Sequence, residues 1–364
     1  MSDDGVTTRK LCLLGFGNVG RRFCELVARK SDELAEGHGL RLLFTAVGTA
    51  RHGSLLAPDG LTAAEVLDRS GLGPGSDLRP EDLWTFPDPA RPSTDLISKS
   101  GAAVLIEATP LDPHGGRAAI AHIEEALAGD MDAVSVNKGP IAWDYQRLAG
   151  LADRRGRRLL FEGTVMDGAP LFNLYRSCLP DCRVLGFDAV LNSTTNFILD
   201  AMSEGVSFAD ALARVQAEGY AEADASHDID GHDAAAKTAA LVNVMMGGRI
   251  TPDDVEKVSI RDITPERAAA VGAEGRRLRV VCTAMAGDLG PSVGKPTEQP
   301  AVRTTMRLVE LPPEHPLFSA SGSTLDVLLH TDLMGTLEVA ERDALPEQTA
   351  FAVYADVLAL HEGR

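Results

Sequence analysis

No stretch of the 364-residue sequence approaches the roughly 18 consecutive apolar residues that a bilayer-spanning helix needs. The segment Met1–Lys10 is polar and lacks the apolar core of a secretory leader. Basic charge is scarce: 35 Lys and Arg stand against 53 Asp and Glu, for a net charge of −18. That balance predicts no nucleic-acid partner, because such binding rests on clustered Lys and Arg. It equally predicts no docking on anionic membranes. Solubility, or a salt-adapted host, would account for it. Cysteine is also sparse. Cys12, Cys24, Cys178, Cys182 and Cys282 form an odd, scattered set, unlike a disulfide framework. Cys178 and Cys182 have no second pair at zinc-site spacing. All five read as buried thiols of a cytoplasmic protein. Internal repeats and low-complexity tracts are missing as well.

Hydrophobic residues at 44% and charged residues at 24% match folded proteins, so disorder is not expected. The length allows two domains with a substantial core. Lys10–Leu14 is a short apolar run ending at Gly15 and reads as a buried strand. A helix follows over Val19–Lys30, with Val19, Phe23, Leu26 and Val27 on one face. Further strands are expected at Arg41–Val47, Ala103–Glu107 and Ala133–Val136, with helices such as Gly116–Leu127 between them. This alternation predicts a parallel, doubly wound sheet. Residues 51–100 are rich in Gly, Pro and Asp and read as a loop excursion with a helix near Thr62–Arg69.

Beyond Phe161 the pattern changes. Strands are expected at Arg183–Leu191, Leu278–Ala286, Ala301–Val309, Thr324–His330 and Thr336–Val339. Helices are expected at Phe197–Met202, Phe208–Gln216, Asp233–Met246 and Glu347–Leu360. The fold class is therefore α/β. A Rossmann-type doubly wound parallel sheet occupies residues 1–155, and a second α+β region for substrate and dimerisation occupies 156–339. A helix within 340–364 packs back on the first domain.

Gly15-Phe16-Gly17-Asn18-Val19-Gly20 has G-x-G-x-x-G spacing between a buried strand and a helix. In that setting the three glycines serve a tight turn, close approach to a pyrophosphate, and helix–strand packing. The helix start offers free N–H groups to phosphate. An acid at the end of the second strand would bind a ribose 2′-hydroxyl. That strand instead runs out through Thr49 and Arg51, with no acid before Asp59. Arg51 is placed to meet a 2′-phosphate with Thr49 as hydroxyl donor, which favours NADP over NAD. The alternative is that Arg51 is a solvated loop residue.

The segment Gly219–Lys237 holds five acids (Glu222, Asp224, Asp228, Asp230 and Asp233) and one lysine. Asp233 and Lys237 are i and i+4 on one helix face. Exposed, such a pair is a weak salt bridge. Flanked by Ala234–Ala236 and Ala239–Ala240, it reads as enclosed, where a lysine can donate a proton that an acid orients. Lys138 follows a predicted strand in Asn137-Lys138-Gly139-Pro140, where open α/β sheets bind ligands. A surface-loop lysine is the alternative there.

Together these motifs resemble homoserine dehydrogenase, from Gly15 to about Thr331. The Phe161–Pro170 run, Asn192-Ser193-Thr194-Thr195-Asn196 and the late Pro316-Leu-Phe…Gly322 stretch also look like the family's. The resemblance implies reversible hydride transfer between L-homoserine and L-aspartate 4-semialdehyde with NADP or NAD, in threonine and methionine biosynthesis. It further implies a homodimer acting on a small-molecule substrate. Lys138 and Lys237 would be acid–base groups, and Asp233 would hold the hydroxyl or aldehyde end. Glu222 and Asp228 would hold the amino group, with Tyr220 and Thr194 lining the pocket. Phe16, Asn18, Val19, Thr109 and Lys138 would join the glycines at the cofactor. Glu162 and the carbonyls of Val165, Asp167 and Ala169 would hold a structural sodium ion, a donor set that suits a hard cation.

Two places depart from the family. Val339–Glu347 carries charges and a proline where the family has a Gly-Pro-Gly-Ala-Gly loop, so close backbone approach is not expected there. Asp167-Gly-Ala-Pro replaces Gly-Gly-x-Pro. The competing readings are a diverged oxidoreductase acting on a related hydroxy amino acid or semialdehyde, and a catalytically silent nucleotide-binding regulator. The retained Lys138, Asp233 and Lys237 count against the second.

Overall fold

A computed structural model describes residues 5–71, 85–86, 88–112, 114–218, 220–221, 224–287 and 301–363. Glu222, Pro87 and most of the Gly71–Gly75 punctuation lie outside the described residues. The chain forms two compact units, residues 1–140, 146–168 and 346–364, and residues 141–145 and 169–345.

The first unit holds a six-stranded sheet in the order β3-β2-β1-β4-β5-β6. Its strands are β1 (Thr7–Leu14), β2 (Leu40–Gly48), β3 (Ser54–Leu61), β4 (Val104–Glu107), β5 (Asp132–Ser135) and β6 (Leu159–Leu160). All pairings are parallel except β2 with β3. Parallel strands are covered on both faces, which is why β4, buried throughout, reads in sequence as a short apolar run, Val104–Ile106, before Glu107. The helices are α1 (Asn18–Arg29), α2 (Ser31–His38), α3 (Ala63–Arg69), α4 (Ser93–Ser100), α5 (Arg117–Ala128), α6 (Lys138–Arg155, of which residues 141–145 belong to the second unit) and α13 (Pro346–Glu362). Phe23 and Val27 of α1 share a core with Val353, Val357 and Leu360 of α13. Burying a side chain such as Phe23 contributes roughly 2–3 kcal/mol.

The excursion read as loop contains a strand and a helix that sequence analysis did not predict. β3 is an antiparallel edge strand, and an edge tolerates Pro58, whose missing N–H would break an inner ladder. α4 is the unforeseen helix. α3 begins with a capping box in which Thr62 accepts from Glu65 N–H and Glu65 accepts from Thr62 N–H.

The second unit is built on a five-stranded antiparallel sheet in the order β11-β10-β7-β8-β9. These strands are β7 (Val184–Val190), β8 (Arg277–Ala286), β9 (Val302–Leu311), β10 (Leu325–Thr331) and β11 (Thr336–Glu341). The helices are α7 (Leu171–Asn173), α8 (Ser193–Ser203), α9 (Phe208–Ala217), α10 (Ser226–Ile229), α11 (His232–Met245) and α12 (Pro265–Ala273). Every residue of α11 from Ala234 to Met245 is buried. Its alanines favour helix and let neighbours approach closely: Ala236 and Ala239 pack on Ala142. Cys178 corrects the expectation of five buried thiols. It is exposed at the end of a π-helical turn, Leu174–Cys178, that buries none of its residues. No described helix is long and apolar enough to cross a membrane.

Candidate active site

In the first unit the Gly-rich turn joins β1 to α1. The strand order reverses there, with β2 on one side of β1 and β4 on the other, which is where doubly wound sheets bind ligands. Gly15 takes φ +94°, and a Cβ on it would lie 2.2 Å from the carbonyl oxygen of Ala108. A Cβ on Gly20 would lie 2.2 Å from the Gly15 carbonyl oxygen. Gly17 is different, because a Cβ there meets nothing within 4 Å. Its outer side is open, and it starts α1 without a side-chain cap. The turn therefore has the two properties a pyrophosphate needs, an approachable backbone and first-turn N–H groups of Asn18, Val19 and Gly20 that no cap occupies. Phe16 points inward, its ring 5.1 Å from that of Phe86.

At the end of β2, Arg51 is exposed. The Thr49 hydroxyl donates to the Gly53 carbonyl at 2.7 Å and accepts from His52 N–H at 2.9 Å, so its hydrogen is already committed. Past β4 and β5, Asn137 ties two loops together. Its side-chain nitrogen donates to the carbonyls of Thr109 at 2.9 Å and Pro110 at 3.2 Å. Its side-chain oxygen accepts from Gly139 N–H at 2.9 Å, capping α6. Lys138, half-buried, is the first residue of that helix.

The second unit gathers Thr194, Tyr220, Asp228, Asp233 and Lys237. Lys237 is only 9% exposed. Its Nζ donates to the Leu191 carbonyl at 2.8 Å and lies 3.3 Å from an Asp233 oxygen. The Thr194 hydroxyl sits 3.0 Å from Asp228 and 3.3 Å from the Tyr220 carbonyl oxygen. The Tyr220 ring stacks on Phe197 with centroids 4.3 Å apart. Burial, and then the negative charge of Asp233, push the Asp228 carboxyl above the usual carboxylate range. Hydrogen bonds from Asn192 and Thr194 and the charge of Lys237 oppose that rise. The two carboxylates stand close enough to disfavour each other's charge. A cationic ligand group would relieve that repulsion.

Asn192 is the residue that sequence reasoning passed over as a site member. Its Nδ2 donates to Asp228 at 2.8 Å and to Asp233 at 3.1 Å, holding the two acids apart. Its Oδ1 accepts from Thr195 N–H at 2.9 Å and caps α8. The available signal was an Asn directly before a Ser-Thr-Thr helix start.

Of the expected cation ligands, Glu162 is buried, and its backbone N–H donates to Asp356 at 2.9 Å. Val165 is buried and Asp167 takes φ +42°. The Ala169 carbonyl accepts from Leu171 N–H at 2.8 Å. The glycine-poor segment after β11 finds another solution to its turn. Asp343 adopts φ +55°, the left-handed region glycine usually fills, and Glu341 accepts from Ala169 N–H at 2.9 Å. Glu347, opening α13, reaches Arg22 of α1 at 2.6 Å.

Two family models together cover most of the chain. Residues 15–162 match the model of the homoserine dehydrogenase NAD binding domain, and residues 170–358 match that of homoserine dehydrogenase. An NAD(+)-dependent homoserine dehydrogenase of Pseudomonas canavaninivorans is 31% identical over 98% of this chain and 97% of its own length. A homoserine dehydrogenase of Methanocaldococcus jannaschii is 29% identical over 96% of this chain and 98% of its own. A solved hyperthermophilic archaeal homoserine dehydrogenase in complex with NADPH superposes with a TM-score of 0.77 at 25% identity, covering 98% of this chain and 99% of that one. With both segments matched and the curated relatives covered nearly end to end, the chain belongs to the homoserine dehydrogenase family.

Proposed function

We propose that the acid–lysine cluster of the second unit binds and acts on the polar end of the substrate in this NAD(P)-dependent homoserine dehydrogenase, an enzyme of amino-acid biosynthesis. A bound nicotinamide nucleotide would supply or accept the hydride. In the reductive direction Lys237 gives a proton to the alkoxide forming at the aldehyde carbon of L-aspartate 4-semialdehyde, and in reverse it takes one from the hydroxyl of L-homoserine. Asp233 orients that nitrogen and the substrate oxygen. Asp228 and Glu222 take the substrate ammonium, with Thr194 and Tyr220 shaping the pocket. Lys138 is the other acid–base candidate. The observation that carries this reading is the enclosed Lys237 Nζ, held by Leu191 and Asp233 beside the carboxylates of Asp228 and Asp233 that Asn192 bridges.

Exposed Arg51, with no acid between the end of β2 and Asp59 in sequence, supports a preference for NADP. Relatives of both kinds exist, one NAD(+)-dependent and one bound to NADPH. The hard oxygen donors of the 162–169 run, including the buried Glu162, suit a sodium ion. The five unpaired cysteines fit a reducing cytoplasm.

The test is turnover of L-homoserine by purified protein with NADP or NAD, followed at the nicotinamide absorbance. Lys237→Ala is expected to lower turnover by about 10²–10⁴-fold with NADPH affinity nearly unchanged. Arg51→Ala is expected to weaken NADP much more than NAD. Strong turnover on another hydroxy amino acid with none on homoserine would overturn the substrate assignment.

A further inference from the structure

Glu107 is the last residue of β4, level with Leu14 of β1 and Ser135 of β5. Its side chain is fully buried at the carboxyl ends of the central strands, yet no Lys or Arg among the described residues pairs with it. One carboxylate oxygen accepts from the Thr109 hydroxyl, and from Thr109 N–H at 3.3 Å. His122 of α5 approaches the same oxygen at 3.4 Å. The other oxygen is buried with no partner among the described residues. Burying a carboxylate in this way weakens a fold. Packing alone is served equally well by an apolar side chain, so the acid is best explained by what it holds.

It holds the start of a chain of bonds. Glu107 fixes Thr109. The Thr109 carbonyl accepts from Asn137, which caps α6 at Gly139 N–H, and Lys138 is the first residue of α6. Ser135 closes the corner, its hydroxyl accepting from Asn137 N–H at 3.1 Å. Ala108, between Glu107 and Thr109, is the residue whose carbonyl lies against Gly15. The geometry points to Glu107 as a positioning residue: through Thr109 and Asn137 it sets where α6 begins, and so where the ammonium of Lys138 stands. This rests on the reading of Lys138 as an acid–base candidate.

The test compares Glu107→Ala, Glu107→Gln and Thr109→Val by two readouts. The first is the acetylation rate of Lys138, followed by mass spectrometry with exposed Lys99 as internal reference. A lysine at a helix start feels the positive end of the helix dipole, so a displaced cap is expected to change its rate by about two- to fivefold. The second is the steady-state behaviour with homoserine. Glu107→Ala and Thr109→Val are expected to lower kcat by about tenfold or more while KM moves little. Glu107→Gln, which keeps an oxygen acceptor for Thr109, is expected to restore most of both. Unchanged Lys138 reactivity in folded Glu107→Ala and Thr109→Val overturns the proposal, as does a lowered Tm with no change in kcat. Should the wild type not turn over homoserine, the substrate reading fails, and the labelling rates alone decide the positioning role.

Discussion

Replacing Asp228 by Asn separates what this acid costs the fold from what it does for the substrate. Its carboxyl is held above the usual range by burial and by Asp233. A raised folded-state value means the site suits the neutral form, so stability is greatest below the ordinary carboxylate pKa and declines as pH climbs through the raised one. At pH 7 the charged form is therefore a burden. Asp228→Asn is expected to raise Tm at pH 7 by about 2 °C or more. It is expected to leave Tm almost unchanged near pH 4 and to raise KM for homoserine steeply. Thermal melts at both pH values check the first part. In the wild type, KM should rise as pH falls toward the Asp228 value, because protonation would remove the partner proposed for the substrate ammonium. A KM flat with pH down to that range would leave the ammonium role without support. Asp326 follows the same rule on β10. Burial and the charge of Glu338 push it up to about 6, so its charged form weighs on stability above that pH.

The Gly-rich turn divides its glycines into two kinds at the scale of the element. Gly15 and Gly20 are required by the fold, since a methyl group on either would meet a carbonyl oxygen at 2.2 Å. Gly17 is required only by what approaches from outside. Gly17→Ala is thus expected to fold with a Tm near wild type but to bind NADPH more weakly by about tenfold or more. Gly15→Ala is expected to lose stability outright, as both its space and its positive φ are taken away. Circular dichroism melts and a cofactor fluorescence titration distinguish the two. This element was legible in sequence because its demands are local: three glycines at fixed spacing, one strand before and one helix after. α11 was legible for the same reason, through its alanines and the Asp233–Lys237 step. β3 was not, because Pro58, Asp59 and Gly60 look like a turn, and only pairing with β2 makes them a strand. The bridging role of Asn192 and the burial of Glu107 were not legible either. Each depends on residues 15 to 41 positions away in sequence that only the folded chain brings together.

The whole molecule carries 53 acids against 35 basic residues. Such an imbalance destabilises a compact state by self-repulsion, and salt screens it. Tm is therefore expected to rise between about 20 mM and about 0.5 M salt, where the screening length falls below about 10 Å. Screening alone does not discriminate NaCl from KCl at equal strength. A larger rise in NaCl would mark specific sodium binding, for which Glu162 and its neighbours are the candidate. Equal curves would leave the ion with no role in stability. The division into two units is a property of this scale too. The alternation of strands and helices announced the first sheet. The order β11-β10-β7-β8-β9 could not be read from alternating residues, because strand neighbours there are set by register between distant segments.

Asn192 has a consequence for the ageing of the protein. One neutral amide separates two carboxylates, and Ser193 follows it, a sequence in which slow hydrolysis of the amide is common chemistry. Hydrolysis at that position would set a third acid between Asp228 and Asp233 and leave the helix cap an acceptor still. Stored preparations would then lose substrate turnover while remaining folded and able to hold nucleotide, and the loss would track a small mass gain in the peptide carrying Asn192 and Ser193.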